Sequence, residues 1–316
     1  MKAHIVFMGT PQFAVTILES LVRSSYRVAA AYTQPDKPSG RKQRLTPLPV
    51  KEIAVKHQIP VVQPRTIKSA EVVRELASFK PELIIVAAFG QILPAEVLSL
   101  PKSGCLNVHP SLLPRHRGPS PAAHALLCGE LLTGVTIMLM DEGLDSGPIL
   151  AQKEVGISST DTTGSLTAKL AHAGADLLME TLPQWLGGEL EPKPQDETQA
   201  TYSRLITNED AEIDWHLPAV ELWQRVSAFN PWPSCYTRSQ GKRLKIHKAA
   251  LLSKPAKGRV GQVIALREPP GIGVVTGEGI LGLCQVQLEG KRAMPVADFV
   301  RGQSNFIGSI LGLGGG

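Results

Sequence analysis

An amide and an imidazole stand at alternate positions where one apolar stretch of the sequence ends. The apolar part consists of Cys105, Leu106 and Val108, and the polar groups are Asn107 and His109. Side chains two apart on an extended chain project to the same face, so a strand here would deliver a hydrogen-bond donor and a titratable ring together. Open α/β sheets bind ligands at such strand ends. The pair is therefore a candidate for catalysis, although a lone Asn or His there is also typical of an ordinary turn.

A carboxylate follows a second apolar run. Residues 135–140 are strand-like, and the segment Asp-Glu-Gly-Leu-Asp-Ser-Gly begins directly after them at Asp141 and includes Asp145. An amide, an imidazole and a carboxylate that converge can stabilise developing negative charge and move a proton. Asp141 and Glu142 compete with Asp145 for this role, but their surroundings are typical of a turn.

Alternating strand and helix patterns would position these groups. Apolar runs at 4–9, 27–32 and 81–90, with helical spacing between them, predict a doubly wound parallel sheet. Dinucleotide binding is not favoured, because the glycine fingerprint is absent and only Gly9 occupies the first turn. Other helical patterns lie at 13–22, 92–100, 121–127, 163–185 and 209–229.

The composition changes after residue 188. Residues 189–204 are polar and punctuated by prolines, which predicts a linker. Short β-type runs separated by glycines follow it and predict a small barrel. We therefore expect domains at 1–188 and 205–316.

Basic residues concentrate in two segments. Residues 33–51 carry five basic side chains and four prolines, which predicts a long loop suited to phosphate contacts or simply a solvated one. A second basic run, at 242–248, lies in the expected barrel, where it would attract phosphates or form a solvated edge. The net charge of +5 falls mainly in residues 205–316, which is consistent with a polyanionic partner.

Composition argues against several classes of protein. The four cysteines are scattered without a Cys-x-x-Cys pair, so neither a zinc site nor a disulfide framework is indicated. No apolar run reaches the roughly 18 residues that cross a membrane, and the start of the chain lacks a signal-peptide pattern. We expect a soluble cytoplasmic protein with no membrane partner, and a monomer because no apolar stripe requires a second copy.

One segment of the chain resembles the signature of enzymes that transfer a formyl group from 10-formyltetrahydrofolate to an amine. It is Asn-Val-His-Pro-Ser-Leu-Leu-Pro-Arg-His-Arg-Gly at 107–118, with Asp145 further along the chain. Other segments are similar to the methionyl-tRNA formyltransferases in particular, and together they extend the resemblance over essentially the whole chain. They are Val-Phe-Met-Gly-Thr-Pro-Gln-Phe at 6–13, Tyr-Thr-Gln-Pro-Asp-Lys-Pro-Ser-Gly-Arg at 32–41, Val-Ala-Ala-Phe-Gly-Gln-Ile-Leu-Pro at 86–94, Ile-Asp-Trp at 213–215 and Ala-Phe-Asn-Pro-Trp-Pro at 228–233.

The resemblance implies a Rossmann-like domain joined to an OB-like barrel, with 10-formyltetrahydrofolate and initiator methionyl-tRNA as substrates and no metal. It also implies three sets of site residues, one catalytic, one lining the folate site and one contacting tRNA. They are Asn107, His109 and Asp145; Ser111, Leu112, Leu113 and Pro114; and Arg41, Lys42 and Arg44.

These residue types suit formyl transfer. The formyl carbon becomes tetrahedral and its oxygen gains negative charge, which the Asn107 amide and a protonated His109 would stabilise by donating hydrogen bonds. Asp145 would either accept amine protons through a water or favour the charged form of His109. Arg115 and Arg117 would contact a folate carboxylate or RNA phosphate, or pack over the proline loop.

Other functions stay open at this point. A formyltransferase acting on a small amine, such as a glycinamide or an amino-sugar nucleotide, would need the same catalytic set, although the basic segments favour tRNA. A nucleic-acid-binding module with an inert Rossmann-like half is the alternative outside enzymes. The complete set of Asn107, His109 and Asp145 argues against it.

Overall fold

The structure is a computed structural model that describes residues 3–39, 44–252 and 257–312. Within these residues the chain divides into two compact units, and each is described by itself. The first unit spans 1–121, 132–157 and 167–204, and the second spans 122–131, 158–166 and 205–316. The segment predicted as a linker, 189–204, is thus grouped with the first unit.

The first unit is built on a mixed seven-stranded sheet. In chain order, the elements up to residue 186 are β1 (His4–Gly9), α1 (Gln12–Arg23), β2 (Arg27–Tyr32), β3 (Lys37–Ser39), β4 (Arg44–Thr46), α2 (Pro49–Lys56), β5 (Val61–Val62), α3 (Ala70–Ser78), β6 (Leu83–Ala87), α4 (Ala95–Leu98), β7 (Cys105–His109), α5 (Pro121–Leu127), β8 (Leu132–Leu139), β9 (Ile149–Gly156) and α6 (Thr163–Leu186).

The strand order is β5-β2-β1-β6-β7-β8-β9. Neighbours from β5 to β7 are parallel, whereas β8 and β9 add on in antiparallel fashion. The direction of winding reverses between β1 and β6, as it does in doubly wound sheets. The predicted mostly parallel α/β class is confirmed. Sequence patterns did not indicate β9, because its apolar run stops at Ala151 and half-buried and exposed side chains then alternate.

Apolar periodicity explains how the first βα unit packs. In α1, Phe13, Ile17 and Leu21 recur on one side of the helix and are buried, and each stabilises the fold by about 1.5–3 kcal/mol. The turn before the helix requires Gly9, because a Cβ atom there would lie 2.7 Å from Cβ of Ala14 and 2.9 Å from a backbone carbonyl oxygen of β6.

The prediction of one long loop at 33–51 is wrong in part. Strands β3 and β4 pair antiparallel in a two-stranded ribbon, and α2 begins at Pro49. Prolines exclude this segment from the main sheet because they cannot donate to a ladder, but they are tolerated in such an edge ribbon. Arg41 and Lys42 lie outside the described residues, and Arg44 is described by its backbone alone.

The second unit is dominated by antiparallel strands. Besides most of α5 and the start of α6, its helices and longer strands are α7 (Ala219–Ala228), β10 (Tyr236–Ser239), β11 (Lys242–Leu252), β12 (Val263–Ala265), β13 (Ile272–Val275), β14 (Ile280–Leu288), β15 (Met294–Pro295) and α8 (Val296–Arg301). The sheet order is β10-β11-β14-β13-β12, and β15 pairs with β14. The predicted second β domain is confirmed.

The helix predicted over 209–229 is wrong in its first half. Residues Glu209–Ala211 form a single 3₁₀ turn, and the α-helix begins only after Pro218. Proline disfavours the helical conformation of the residue before it, so an earlier helix cannot continue through this position.

Candidate active site

The structure brings the three predicted catalytic side chains together. The Asn107 amide nitrogen donates to Oδ1 of Asp145 at 3.3 Å, and Nδ1 of His109 lies 3.6 Å from Oδ2 of the same carboxylate. The backbone N–H of Gly118 donates to Oδ2 at 2.8 Å. Asn107 is 9% exposed and His109 4%, so these two side chains have little contact with water, whereas Asp145 is partly exposed.

Asp145 reaches this cluster by a route that the sequence did not indicate. Because β8 runs antiparallel to β7, its last residue, Leu139, pairs with Leu106 near the start of β7, away from His109. Residues 140–148 must therefore fold back along the sheet to carry the carboxylate there. Asp145 adopts a positive φ of 51° at this turn, a conformation that Asp tolerates better than most residues.

One hydrogen bond of His109 shows which ring nitrogen carries a hydrogen. Its Nε2 is 3.1 Å from the carbonyl oxygen of His116, and because a carbonyl only accepts, Nε2 carries the hydrogen and donates. Nδ1 is left facing Asp145 at a distance longer than a hydrogen bond. The ring is thus oriented by His116 on one side and faces a carboxylate on the other.

Two polar side chains of the neighbouring strands hold the proline loop. The Thr136 hydroxyl donates to the Ser111 carbonyl at 2.7 Å and accepts from the Leu113 N–H at 3.1 Å. The Gln152 amide donates to the Leu113 carbonyl at 2.8 Å and to the Thr136 hydroxyl at 2.9 Å. Thr136 and Gln152 face each other across β8 and β9, so the sheet sets the path of the loop.

The four residues predicted to line a folate site differ in exposure. Ser111 and Leu113 are buried, and the Ser111 hydroxyl donates to the carbonyl of Arg115 at 2.6 Å. Leu112 and Pro114 are partly exposed. Of this set, Leu112 and Pro114 have side-chain surface that a ligand could contact, while Ser111 and Leu113 support the loop from within.

Arg117 packs inside the protein. Its side chain is almost completely buried, and the guanidinium donates to both carboxylate oxygens of Glu197, at 2.7 and 2.9 Å. It also donates twice to Oε1 of Gln195, at 3.0 and 2.8 Å. The hydrogen bonds with Glu197 raise the pKa of Arg117 and lower the pKa of Glu197. Of the two roles considered for Arg117, the structure shows packing and no guanidinium surface for phosphate.

Sequence reasoning missed Thr136, Gln152 and Gln195. Thr136 lies in an ordinary strand pattern, Gln152 lies in β9, which sequence patterns did not indicate, and Gln195 lies in the segment predicted as a linker. Nothing in the local sequence distinguishes them, because each matters only through a partner distant along the chain.

The second unit carries a basic depression of about 560 Å³ whose lining includes Arg238, Arg243 and Lys245. Arg238 and Arg243 are cross-strand partners on β10 and β11. The Arg243 guanidinium stacks 4.0 Å above the ring of Tyr236, an arrangement that holds a cation in place. The basic run predicted at 242–248 therefore lies on a strand and contributes to a defined basic surface.

The described residues contain neither a metal-holding cluster nor a membrane-spanning helix. Within 3–39, 44–252 and 257–312, no group of three His, Cys, Asp or Glu side chains is arranged to hold a metal ion. No helix in the same part of the chain combines the length and apolar character needed to cross a membrane.

Solved structures with the same fold include two folate-associated proteins. WlaRD, a sugar 3N-formyl transferase crystallised in the presence of dTDP and 5-N-formyl-THF, matches with a TM-score of 0.66 and 17% identity over 92% of this chain and 100% of its own. HypX from Aquifex aeolicus, in complex with tetrahydrofolic acid, matches with a TM-score of 0.63 and 19% identity over 97% of this chain. This chain spans 48% of the HypX chain. At these identities the likeness shows the fold alone.

Comparison of the amino-acid sequence with known families and proteins identifies the family as well as the fold. Residues 1–182 match the formyl transferase family, and residues 205–304 match the formyl transferase C-terminal domain. The methionyl-tRNA formyltransferase of Bacillus subtilis (strain 168) is 46% identical, and that of Halalkalibacterium halodurans is 48% identical, each over 98% of both chains. The chain therefore belongs to the methionyl-tRNA formyltransferase family.

Proposed function

We propose that this protein transfers the formyl group of 10-formyltetrahydrofolate to the α-amino group of initiator methionyl-tRNA, giving formylmethionyl-tRNA for translation initiation. The observation that carries the proposal is the cluster in which the Asp145 carboxylate faces the Asn107 amide and the His109 ring, in a chain nearly half identical to methionyl-tRNA formyltransferases over almost its whole length. Donors and a proton acceptor are what this reaction needs at one carbon.

In the proposed reaction the amine nitrogen attacks the formyl carbon, and the carbonyl oxygen becomes an oxyanion. The bond from that carbon to N10 of the folate then breaks, N10 takes up a proton, and the amine loses one. An α-amino group titrates at about 7.7–8.0, so roughly a tenth or more of it is free base at pH 7. Asn107 has a second amide N–H besides the one that faces Asp145, and this donor would stabilise the oxyanion together with a protonated His109.

The Asp145 carboxylate would act on both donors and on the amine. It would orient the Asn107 amide and the His109 ring and accept the amine proton through a water. Its contact with the Gly118 N–H, at 2.8 Å, supports a fixed position for that acceptor. We propose Asn107, His109 and Asp145 as the catalytic set.

Binding of the two substrates is proposed for separate surfaces. The folate would contact the loop 111–114, with Leu112 and Pro114 supplying exposed surface. The tRNA acceptor stem would meet the segment that contains Arg41, Lys42 and Arg44. The basic depression around Arg243 supports an attraction to tRNA phosphates in residues 205–316.

The test is transfer of labelled formyl from 10-formyltetrahydrofolate to methionyl-tRNA, with free methionine and an amino-sugar nucleotide run alongside. We expect label on the charged tRNA alone. Label on the amino-sugar nucleotide alone would contradict the tRNA assignment while leaving formyl transfer in place, and no label on any acceptor would contradict the proposed reaction.

A further inference from the structure

The amide of Gln195 joins two parts of the first unit that meet at the candidate active site. Its oxygen accepts from Nε and Nη2 of Arg117, at 3.0 and 2.8 Å. Its nitrogen donates to the backbone carbonyls of Asp145 and Gly147, at 2.8 and 2.7 Å. All of the strong hydrogen-bonding positions of one amide are thus used between a buried arginine and the turn that carries the Asp145 carboxylate.

Chemistry allows this amide one orientation only. A guanidinium can donate but not accept, and a backbone carbonyl can accept but not donate. The oxygen of Gln195 must therefore face Arg117, and its NH₂ group must face the Asp145 turn. Because donor and acceptor cannot exchange places, replacing the Gln195 amide by a carboxylate of the same size and shape should disturb these contacts.

The arginine end of the bridge is fixed independently. The Arg117 guanidinium forms a bidentate pair with Glu197, and its backbone N–H and carbonyl bond to the segment 201–203 at 2.9 and 2.7 Å. The residue after Arg117 makes a second contact with the Asp145 turn, because the backbone N–H of Gly118 donates to the Asp145 carboxylate. Both ends of Asp145, its carbonyl and its carboxylate, are therefore held from the vicinity of Arg117.

Asp145 needs such restraint because its φ of 51° lies in the left-handed region. A non-glycine residue there is strained and persists only where the surrounding structure fixes it. With its carbonyl released, the turn would relax and the carboxylate would move away from Asn107 and His109.

We propose that Gln195 is a positioning residue for formyl transfer, which acts by holding the Asp145 turn so that the carboxylate faces Asn107 and His109. The inference rests on the proposed function, because it assigns Gln195 a role in that same reaction. It also gives the segment 193–203, which the sequence indicated only as a linker, a direct part in building the active site.

Gln195→Glu tests this directly. The variant keeps an oxygen for Arg117 to donate to, but it replaces the NH₂ group by an oxygen that faces two carbonyl oxygens. We expect kcat to fall about 10–100-fold, as for a displacement of roughly 1 Å at a catalytic group, while KM for both substrates stays within about threefold. Gln184→Glu makes the same change of charge at an exposed position of α6 and is expected to leave kcat unchanged.

A double-mutant cycle separates positioning from general destabilisation. If Gln195 acts through Asp145, then Gln195→Glu will slow the Asp145→Asn variant far less than it slows the wild type. Single-turnover rates are measured below the melting temperature of every variant. Should Gln195→Glu fail to fold, Gln195→Asn, which withdraws the amide by one methylene, is expected to lower kcat in the same direction.

The outcomes are distinct. A wild-type protein that transfers no formyl group contradicts the proposed function itself. With an active wild type, unchanged kcat in folded Gln195→Glu contradicts the inference alone, and so does an undiminished effect of that substitution in the Asp145→Asn background.

Discussion

Replacing Asp145 by Asn tests the central cluster while changing the side chain by one atom. Its two oxygens accept from the Gly118 N–H and from the Asn107 amide. The Gly118 donor is backbone and cannot turn, so the new amide must keep its oxygen there and present its NH₂ group to Asn107. Two donors then face each other, and Asn107 has to rotate its own amide. The substitution therefore removes a charge and also reverses a neighbouring donor.

The size of the effect follows from the distance between the carboxylate and His109. When His109 is protonated, its charge and that of the carboxylate, with Nδ1 and Oδ2 3.6 Å apart, interact by about 4–5 kcal/mol at an effective dielectric constant of about 20. Desolvation of the pair offsets part of this energy. Since about 1.4 kcal/mol corresponds to tenfold in rate, we expect a reduction in kcat of about 10²–10³-fold, within the range for general acid–base groups.

The assay is single-turnover formyl transfer to methionyl-tRNA, with circular dichroism to verify folding. Asp141→Asn is the matched control: Asp141 lies in the same loop and bonds locally to Gly143 and Ser146, so its rate should stay within about threefold of wild type. A folded Asp145→Asn variant that transfers formyl at the wild-type rate would refute the assigned role, and equal losses in both variants would point to the loop as a whole.

Three further results are expected. Gly118→Ala should lower the free energy of unfolding by about 2–4 kcal/mol, because φ is 103° there and the new Cβ would lie 2.6 Å from the Ser203 carbonyl oxygen. An unchanged midpoint of urea unfolding would contradict this expectation. Ellman's reagent at pH 8 should modify exposed Cys128 quickly but native Cys105 hardly at all, since burial raises the pKa of the Cys105 thiol to about 12. Finally, the stability that Glu197 adds relative to Glu197→Gln should be present near neutral pH and shrink as the pH falls through its lowered pKa, which urea unfolding between about pH 6 and pH 3 would measure.

The sequence by itself determined most strands and helices of the first unit, with β3, β4 and β9 as exceptions, and the pair at the end of β7. Apolar runs bounded by Gly or Pro have the length and period of strands, and alternation within β7 places Asn107 and His109 on one face. These are local properties, since they depend on residues a few positions apart. The family resemblance was equally local, because it rests on ordered strings such as 107–118.

Tertiary structure alone decided how the remaining groups meet. The antiparallel course of β8 sends the next loop back across the sheet, and only this fold brings Asp145 to His109. The burial of Arg117 and the bridge made by Gln195 join positions roughly 80 and 50 residues apart. A side chain's own neighbours in sequence cannot reveal such contacts, because hydrogen-bonding partners distant along the chain are chosen by packing and by the need to satisfy buried donors and acceptors.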